Sequence, residues 1–227
     1  PGVRALATAS HSVAFSLGVD DGEGMSVDMA LAAAARITAS TELPVSVDFE
    51  RGYAPDAAGV RDNVARLIEA GAAGLNIEDS LAGATSDRRP IEEAAARVAA
   101  ARAAADAAGV PLAINARTDT LAGSPDNWDE AIDRANAYVD AGATSIFMLG
   151  LRTEQMVADA VAAVRAPIAV FAHPGYLPLA RLAELGVGRI SFGPQILGLT
   201  LHHLAEAAAH LTARGEYPAE LGYRYEL

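Results

Sequence analysis

Short apolar stretches alternate along the chain with longer segments whose apolar residues recur at helical spacing. The short stretches are Arg4–Thr8 (RALAT), Val45–Asp48 (VSVD), Ala73–Ile77, Pro111–Asn115, Ser145–Leu149, Pro167–Ala172 and Arg189–Phe192. Their length and β-branched content predict strands buried on both faces. The longer segments predict helices from Ser26 to Thr41, over Ala57–Ala70, Pro90–Ala108, Asn127–Ala141, Thr153–Val164 and Leu177–Leu185, and over Gln195–Arg214. Ser26 supplies an N-cap and Pro90 fits a first helical turn. Gly71, Gly109, Gly142 and Gly186 stand where a left-handed residue ends a helix. Near the start, Ala9–Ser12 reads as a turn containing His11, Val13–Gly18 as one helical turn, and Gly18–Gly24 as a loop.

Seven repeats of strand and helix, with no break in composition between them, predict one domain over residues 1–227. Right-handed crossovers then give a parallel sheet covered by helices. Two arrangements compete, an open doubly wound sheet and a closed (β/α)8 barrel. No glycine-rich dinucleotide fingerprint follows the first strand. Polar residues instead gather after many strands: Asp48 and Glu50, Glu78 and Asp79, Arg117 and Asp119, and His173. That distribution favours the barrel, whose sites are built from several strand ends. A barrel needs eight units and the sequence opens at Pro1 without an initiator Met, so a first βα unit of about 30 residues is expected ahead of it.

Composition narrows the chemistry. Apolar residues make up 52% of the 227 residues but aromatics only 5%, so the core is built from Ala, Val, Leu and Ile. The formal net charge of −12 disfavours nucleic acid and anionic membrane as partners. Cysteine is absent, which removes disulfides, thiolate nucleophiles and cysteine metal sites. No apolar run reaches membrane-spanning length and no signal peptide is visible, so a cytoplasmic location is expected. In PVSVDFERGY, residues 44–53, Asp48 and Glu50 point the same way if the backbone stays extended. Two carboxylates so placed call for a cation between them, either a hydrated divalent ion or a fixed arginine. The plainer alternative is a loop pair capping the next helix.

PVSVDFERGY, followed by AGAAGLNIEDS and INARTDT, resembles the isocitrate lyase/phosphoenolpyruvate mutase superfamily, whose members carry D-x-D/E-x-G-Y, IED and ARTD/E segments on successive strands. The SLG…DGE loop and the RISFGP strand are similar too, so the resemblance spans residues 4–200. It implies a (β/α)8 barrel, usually a homotetramer built as a dimer of dimers, that binds Mg²⁺ (or Mn²⁺) and a small-molecule α-oxo carboxylate. By the same resemblance Asp48, Glu50 and Glu78 hold the metal, partly through water, and Arg117 clamps the substrate. Asp48, Glu78 and Arg117 form the implied catalytic set, and backbone N–H groups at Ala9, Ser10 and His11 receive the substrate carboxylate. A metal with an arginine stabilises the enolate of an oxo acid, and the planar guanidinium suits a carboxylate.

The departures from the family pattern shape the expected reaction. Lyases of the family carry a KKCGH-type segment after the IED motif; here the region reads SLAGATSDRRP, without Cys, His or Lys. Cleavage of isocitrate or 2-methylisocitrate by the usual route is therefore not expected. The Lys and Asn of the mutase and hydrolase gating loop are absent as well. The expectation is a Mg²⁺-dependent lyase acting on a small α-oxo or α-hydroxy carboxylate, oxaloacetate-like, by C–C cleavage through an enolate. A P–C bond mutase or hydrolase is the alternative within the fold, and an oxo-acid-binding protein without turnover is the alternative outside catalysis.

Other residues carry two readings each. His173 lies on the active rim as a substrate-binding candidate, or is a turn residue beside Pro-Gly. Tyr53 donates to substrate or packs, Asp79 faces away from the site toward a helix, and Arg88-Arg89 is a solvated pair or holds a dianion. His202 and His203 sit on a last helix, LGLTLHHLAEAAAHL, that is apolar around much of its circumference. Burial on two sides, against a neighbouring subunit, is the expectation for that helix.

Overall fold

The computed structural model describes residues 2–81 and 84–215. The tail after Gly215, and the two residues 82–83 of the segment between Glu78 and Pro90, lie outside that range. Seven parallel strands form one sheet: β1 (Leu6–Ala7), β2 (Val45–Asp48), β3 (Gly74–Glu78), β6 (Ala113–Thr118), β7 (Ser145–Met148), β8 (Ile168–Phe171) and β9 (Arg189–Ser191). They lie side by side in that order, without reversal. A doubly wound sheet would reverse direction at its middle; this one winds steadily, as a barrel wall does. The sheet curls far enough that Arg189 on β9 reaches across the interior, its Nη1 donating to Ser46 Oγ of β2 at 3.4 Å. Between β3 and β6 an antiparallel hairpin, β4 (Ser80–Leu81) with β5 (Ala84–Arg88), occupies part of what reads in the sequence as an unstructured loop.

The helices are α1 (Ser10–Leu17), α2 (Val27–Thr38), α3 (Ala57–Glu69), α4 (Ile91–Ala108), α5 (Thr120–Gly123), α6 (Trp128–Asp140), α7 (Glu154–Ala163), α8 (Leu179–Glu184) and α9 (Gln195–Arg214). Ser26, Asp56 and Thr153 cap α2, α3 and α7 through their side-chain oxygens, which satisfies amides that the first turn leaves without partners. The turn expected at Ala9–Ser12 is instead the start of α1, capped at Ala9.

Strand parity divides the side chains. Val45 and Val47, Leu75 and Ile77, Ile114 and Ala116, Ile146 and Met148, and Ile168 and Val170 face the helices and form the core with Val60, Val64, Leu67, Ala101, Ala105 and Tyr138. The alternate residues face the barrel interior. From β2, β3, β6, β7 and β9 these are Ser46 and Asp48, Asn76 and Glu78, Asn115 and Arg117, Ser145 and Phe147, and Arg189 and Ser191. The interior is thus polar where barrels more often stack branched apolar residues, and the polar rows lead toward the C-terminal ends of the strands. No helix among the described residues is long and apolar enough to cross a membrane.

Candidate active site

A sharp turn of the backbone positions the functional groups that follow β2. Beyond β2 the chain enters a tight turn in which Glu50 and Tyr53 adopt left-handed conformations, with φ of 47° and 53°. Gly52 lies between them at φ 90°, and a Cβ there would stand 2.8 Å from Val60 Cγ2. Non-glycine residues enter this region at a cost and persist where surroundings over-determine them. Here the surroundings are Glu23, itself at φ 61°, whose amide donates to Glu50 Oε2 and whose Oε1 accepts from the Tyr53 amide. The Tyr53 hydroxyl donates to Glu50 Oε1, and Arg51 Nη2 donates to Gly22 O and Glu23 Oε2. The glycine-rich loop Gly18–Gly24 is thereby stitched to the end of β2. The extended backbone expected through Glu50 gives way to this turn, so Asp48 and Glu50 do not share one face.

Arg117 is the centre of the site. Its Nε and Nη2 donate to Asp119 Oδ1 and Oδ2 at 2.6 and 2.7 Å, and its Nη1 pairs with Glu78 Oε2 at 2.9 Å. Burial opposes the charge on Arg117, but Asp119 and Glu78 more than offset it and raise its pKa. Burial likewise pushes the Glu78 carboxyl up to about 7, against the pull of Arg117 and the Ser80 hydroxyl and with the push of Asp119 and Asp48. Glu50 is raised as well, first by burial and further by Asp21 and Asp48. Asp48 Oδ2 accepts from the Ser10 amide at 3.0 Å, which fixes the N-terminus of α1 over the strand.

Two lobes meet at Ser10, Asp21 and Arg117. One, of about 380 Å³, is lined by Gly22, Glu50, Arg51, Glu78, Ser80, Leu81 and Asp119. The other, of about 240 Å³, is lined by Thr8, His11, Asp48 and Asn76 and by an apolar wall of Phe147, Leu149, Phe171 and Pro194. The second is of the size and character of a small-molecule pocket.

The acids fit a hydrated divalent ion rather than a tightly caged one. Among the described residues no three of His, Cys, Asp and Glu stand together so as to hold a metal directly. Both oxygens of Glu50 are already hydrogen-bonded, and Glu78 is shared between Arg117 and Ser80. Yet burial, with the Asp48 charge adding to it, raises both Glu50 and Glu78, and a cation beside them would relieve that. Magnesium keeps most of its waters and needs only one or two carboxylates.

The candidates read from the sequence separate accordingly. Asp48, Arg117, Ser10 and His11 meet at one cavity, and Glu50 and Glu78 at the adjoining lobe. The Ser10 amide, expected to receive substrate, is taken by Asp48; the amide of His11 has no partner among the described residues. His173 is not brought to the cavity: it is exposed, its Nδ1 lies 3.0 Å from Pro174 O, and its ring leans on Phe171 and Tyr176. Asp79 faces away from the site, bonded to the Tyr138 hydroxyl and the Asp119 amide. Asp21, Glu23 and Asn76 are site residues that sequence reasoning did not single out, although the DGE loop that holds the first two was visible.

The phosphoenolpyruvate phosphomutase family profile matches residues 1–212. The chain belongs to the isocitrate lyase/phosphoenolpyruvate mutase superfamily. The 2-methylisocitrate lyase of Escherichia coli K12 is 37% identical over 190 residues, covering 81% of this chain and 64% of that enzyme, so the chain spans less than two thirds of it. An oxaloacetate decarboxylase of Rhodopseudomonas palustris BisA53 is 35% identical over 204 residues, 83% of this chain and 68% of its own. A phosphonomutase-like protein of Burkholderia cenocepacia J2315 superposes with a TM-score of 0.89 at 41% identity, over 92% of this chain and 86% of its own. These superfamily relatives include both lyases and mutases, and the fold found here is theirs.

Proposed function

We propose that this protein is a Mg²⁺- or Mn²⁺-dependent lyase that breaks a C–C bond in a small α-oxo or α-hydroxy carboxylate, with oxaloacetate decarboxylation as the simplest instance. The observation that carries the reading is Arg117, locked between Asp119 and Glu78 where an acidic lobe meets an apolar-walled one. The similarity to oxaloacetate decarboxylases supports it. Asp48, Glu50 and Glu78 would hold the ion, partly through water, and it would supply a Lewis acid for the oxo acid. The chain's own residues do the rest. The open amide of His11 at the start of α1 receives a carboxylate oxygen. Arg117 binds the oxo acid and stabilises the negative charge that develops on the oxo oxygen. Phe147, Leu149, Phe171 and Pro194 keep water from the reacting carbons. The electrons of the broken C–C bond pass to the oxo oxygen as enolate, CO₂ departs, and a proton then returns to carbon to give pyruvate.

No step asks for a cysteine acid, in keeping with the cysteine-free sequence. The phosphonomutase-like neighbour supports P–C bond chemistry as the second reading. Incubation with Mg²⁺ and a panel of oxo acids, hydroxy di-acids and phosphonopyruvate, followed by NMR, separates the readings. Pyruvate from oxaloacetate above the free-metal background, abolished in Arg117→Ala, is expected. Phosphate from phosphonopyruvate would favour the second reading, and binding without product would leave an oxo-acid-binding protein.

The same reading extends to assembly as a dimer of dimers. Helix α9 has no buried residue within one chain, and Leu199 and Leu204 are 67% and 64% exposed. A second copy packed on this helix would cover them. Light scattering at micromolar concentration is expected to report a tetramer; a monomer would count against it.

A further inference from the structure

We propose that Asn76 is a substrate-binding residue, its side-chain amide donating a hydrogen bond to an oxygen of the bound oxo acid at the floor of the apolar-walled lobe. The proposal rests on the oxo-acid reading of the site. Asn76 is 6% exposed and lines the 240 Å³ cavity. It faces inward from β3, beside Asp48 in the strand register and two residues before Glu78. Its Oδ1 is occupied. Ser145 Oγ donates to Asn115 Oδ1 at 2.7 Å, and Asn115 Nδ2 donates to Asn76 Oδ1 at 2.8 Å.

In this relay the end of the Asn76 amide left to the cavity is Nδ2, which donates to nothing among the described residues. Nδ2 is not among the buried atoms left without a partner, so it is open to the cavity and free to donate to what occupies it. A neutral donor that lines the same cavity as Asp48 and Arg117 recognises an anionic or carbonyl oxygen. It would therefore grip a different oxygen of the same ligand that Arg117 binds, and so select for substrates that carry a second oxygen function.

Calorimetric titration with oxalate at saturating Mg²⁺ tests the assignment. Wild-type protein is expected to bind, and Asn76→Ala to bind roughly 10- to 100-fold more weakly, the range for a hydrogen bond to a charged group. Asn76→Asp keeps an acceptor for Asn115 but turns a carboxylate toward the ligand; its loss of binding is expected to be the larger. Should Asn76→Ala fail to fold, Asn76→Asp alone decides. Wild-type affinity in the folded variants would overturn the role of Asn76 and leave the oxo-acid reading standing. Absence of binding by the wild type to oxalate, pyruvate and oxaloacetate alike would overturn that reading, and the assignment with it.

Discussion

A guanidinium that touches two carboxylates does not choose its own position; the carboxylates choose it. Asp119 grips Arg117 with two parallel bonds, and Asp119 is itself held at its amide by Asp79. Asp119→Asn keeps the shape but loses half of the fork, and turnover of oxaloacetate is expected to fall roughly 100-fold, the loss typical when an electrostatic stabiliser is misplaced. Glu78 gives a second prediction through its pKa, raised from 4.5 to about 7. In metal-free protein between those pH values, the folded chain keeps a proton that the unfolded chain has released, so stability falls as pH rises through the window. Urea unfolding across that range should show this slope in wild type and a flatter one in Glu78→Gln; equal slopes would mean the proton is held elsewhere. The acids and Arg117 stand out in the sequence because each sits in a linked motif at a strand end, and the structure places them on two adjoining lobes. Asn76 was not, because its role arises from Asn115, 39 residues away, and Ser145, 30 further on. Glu50 was misread in direction, since no periodicity announces the left-handed turn that redirects it.

At the scale of elements, strands and long helices follow the apolar pattern to within a few residues, and the exceptions have causes. Hairpin β4–β5 is made of small polar residues with no alternation to read, and its base is tied by the rest of the fold. Arg89 N donates to Asp79 O, Arg134 donates to Arg89 O, and Arg88 pairs with Glu130. Helix α5 has only four residues, too few for any period. Helix α4 carries a residue that the sequence analysis did not single out: Arg97, in an alanine-rich run, is 1% exposed. It donates to the carbonyls of Arg51, Ala54 and Pro55 and so pins the turn that presents Glu50. Arg97→Met leaves those carbonyls without their donor and is expected to cost about 3 kcal/mol in urea unfolding. A cost near zero would show that the turn holds itself.

For the whole molecule, the strand order without reversal is the one expected from polar residues gathered after many strand ends, whereas the polar interior was not foreseen. What composition foretold most directly was the material of the core. Ala94, Ala101, Ala104 and Ala105 of α4, and Ala131 and Ala135 of α6, are all buried. Helices that meet through methyl groups stand close together, and the shell they form has little slack. Removing atoms from such a shell is hardly possible, while adding them forces helices apart. Ala105→Leu is accordingly expected to cost about 1–3 kcal/mol by thermal unfolding, and an unchanged melting temperature would show slack that the packing does not suggest. Because α4 packs on β6, the strand that carries Arg117, such a wedge would also disturb the site from behind. The routes by which this scaffold can change its chemistry thus run through the loops at the strand ends, while its helical jacket is a surface on which growth is penalised.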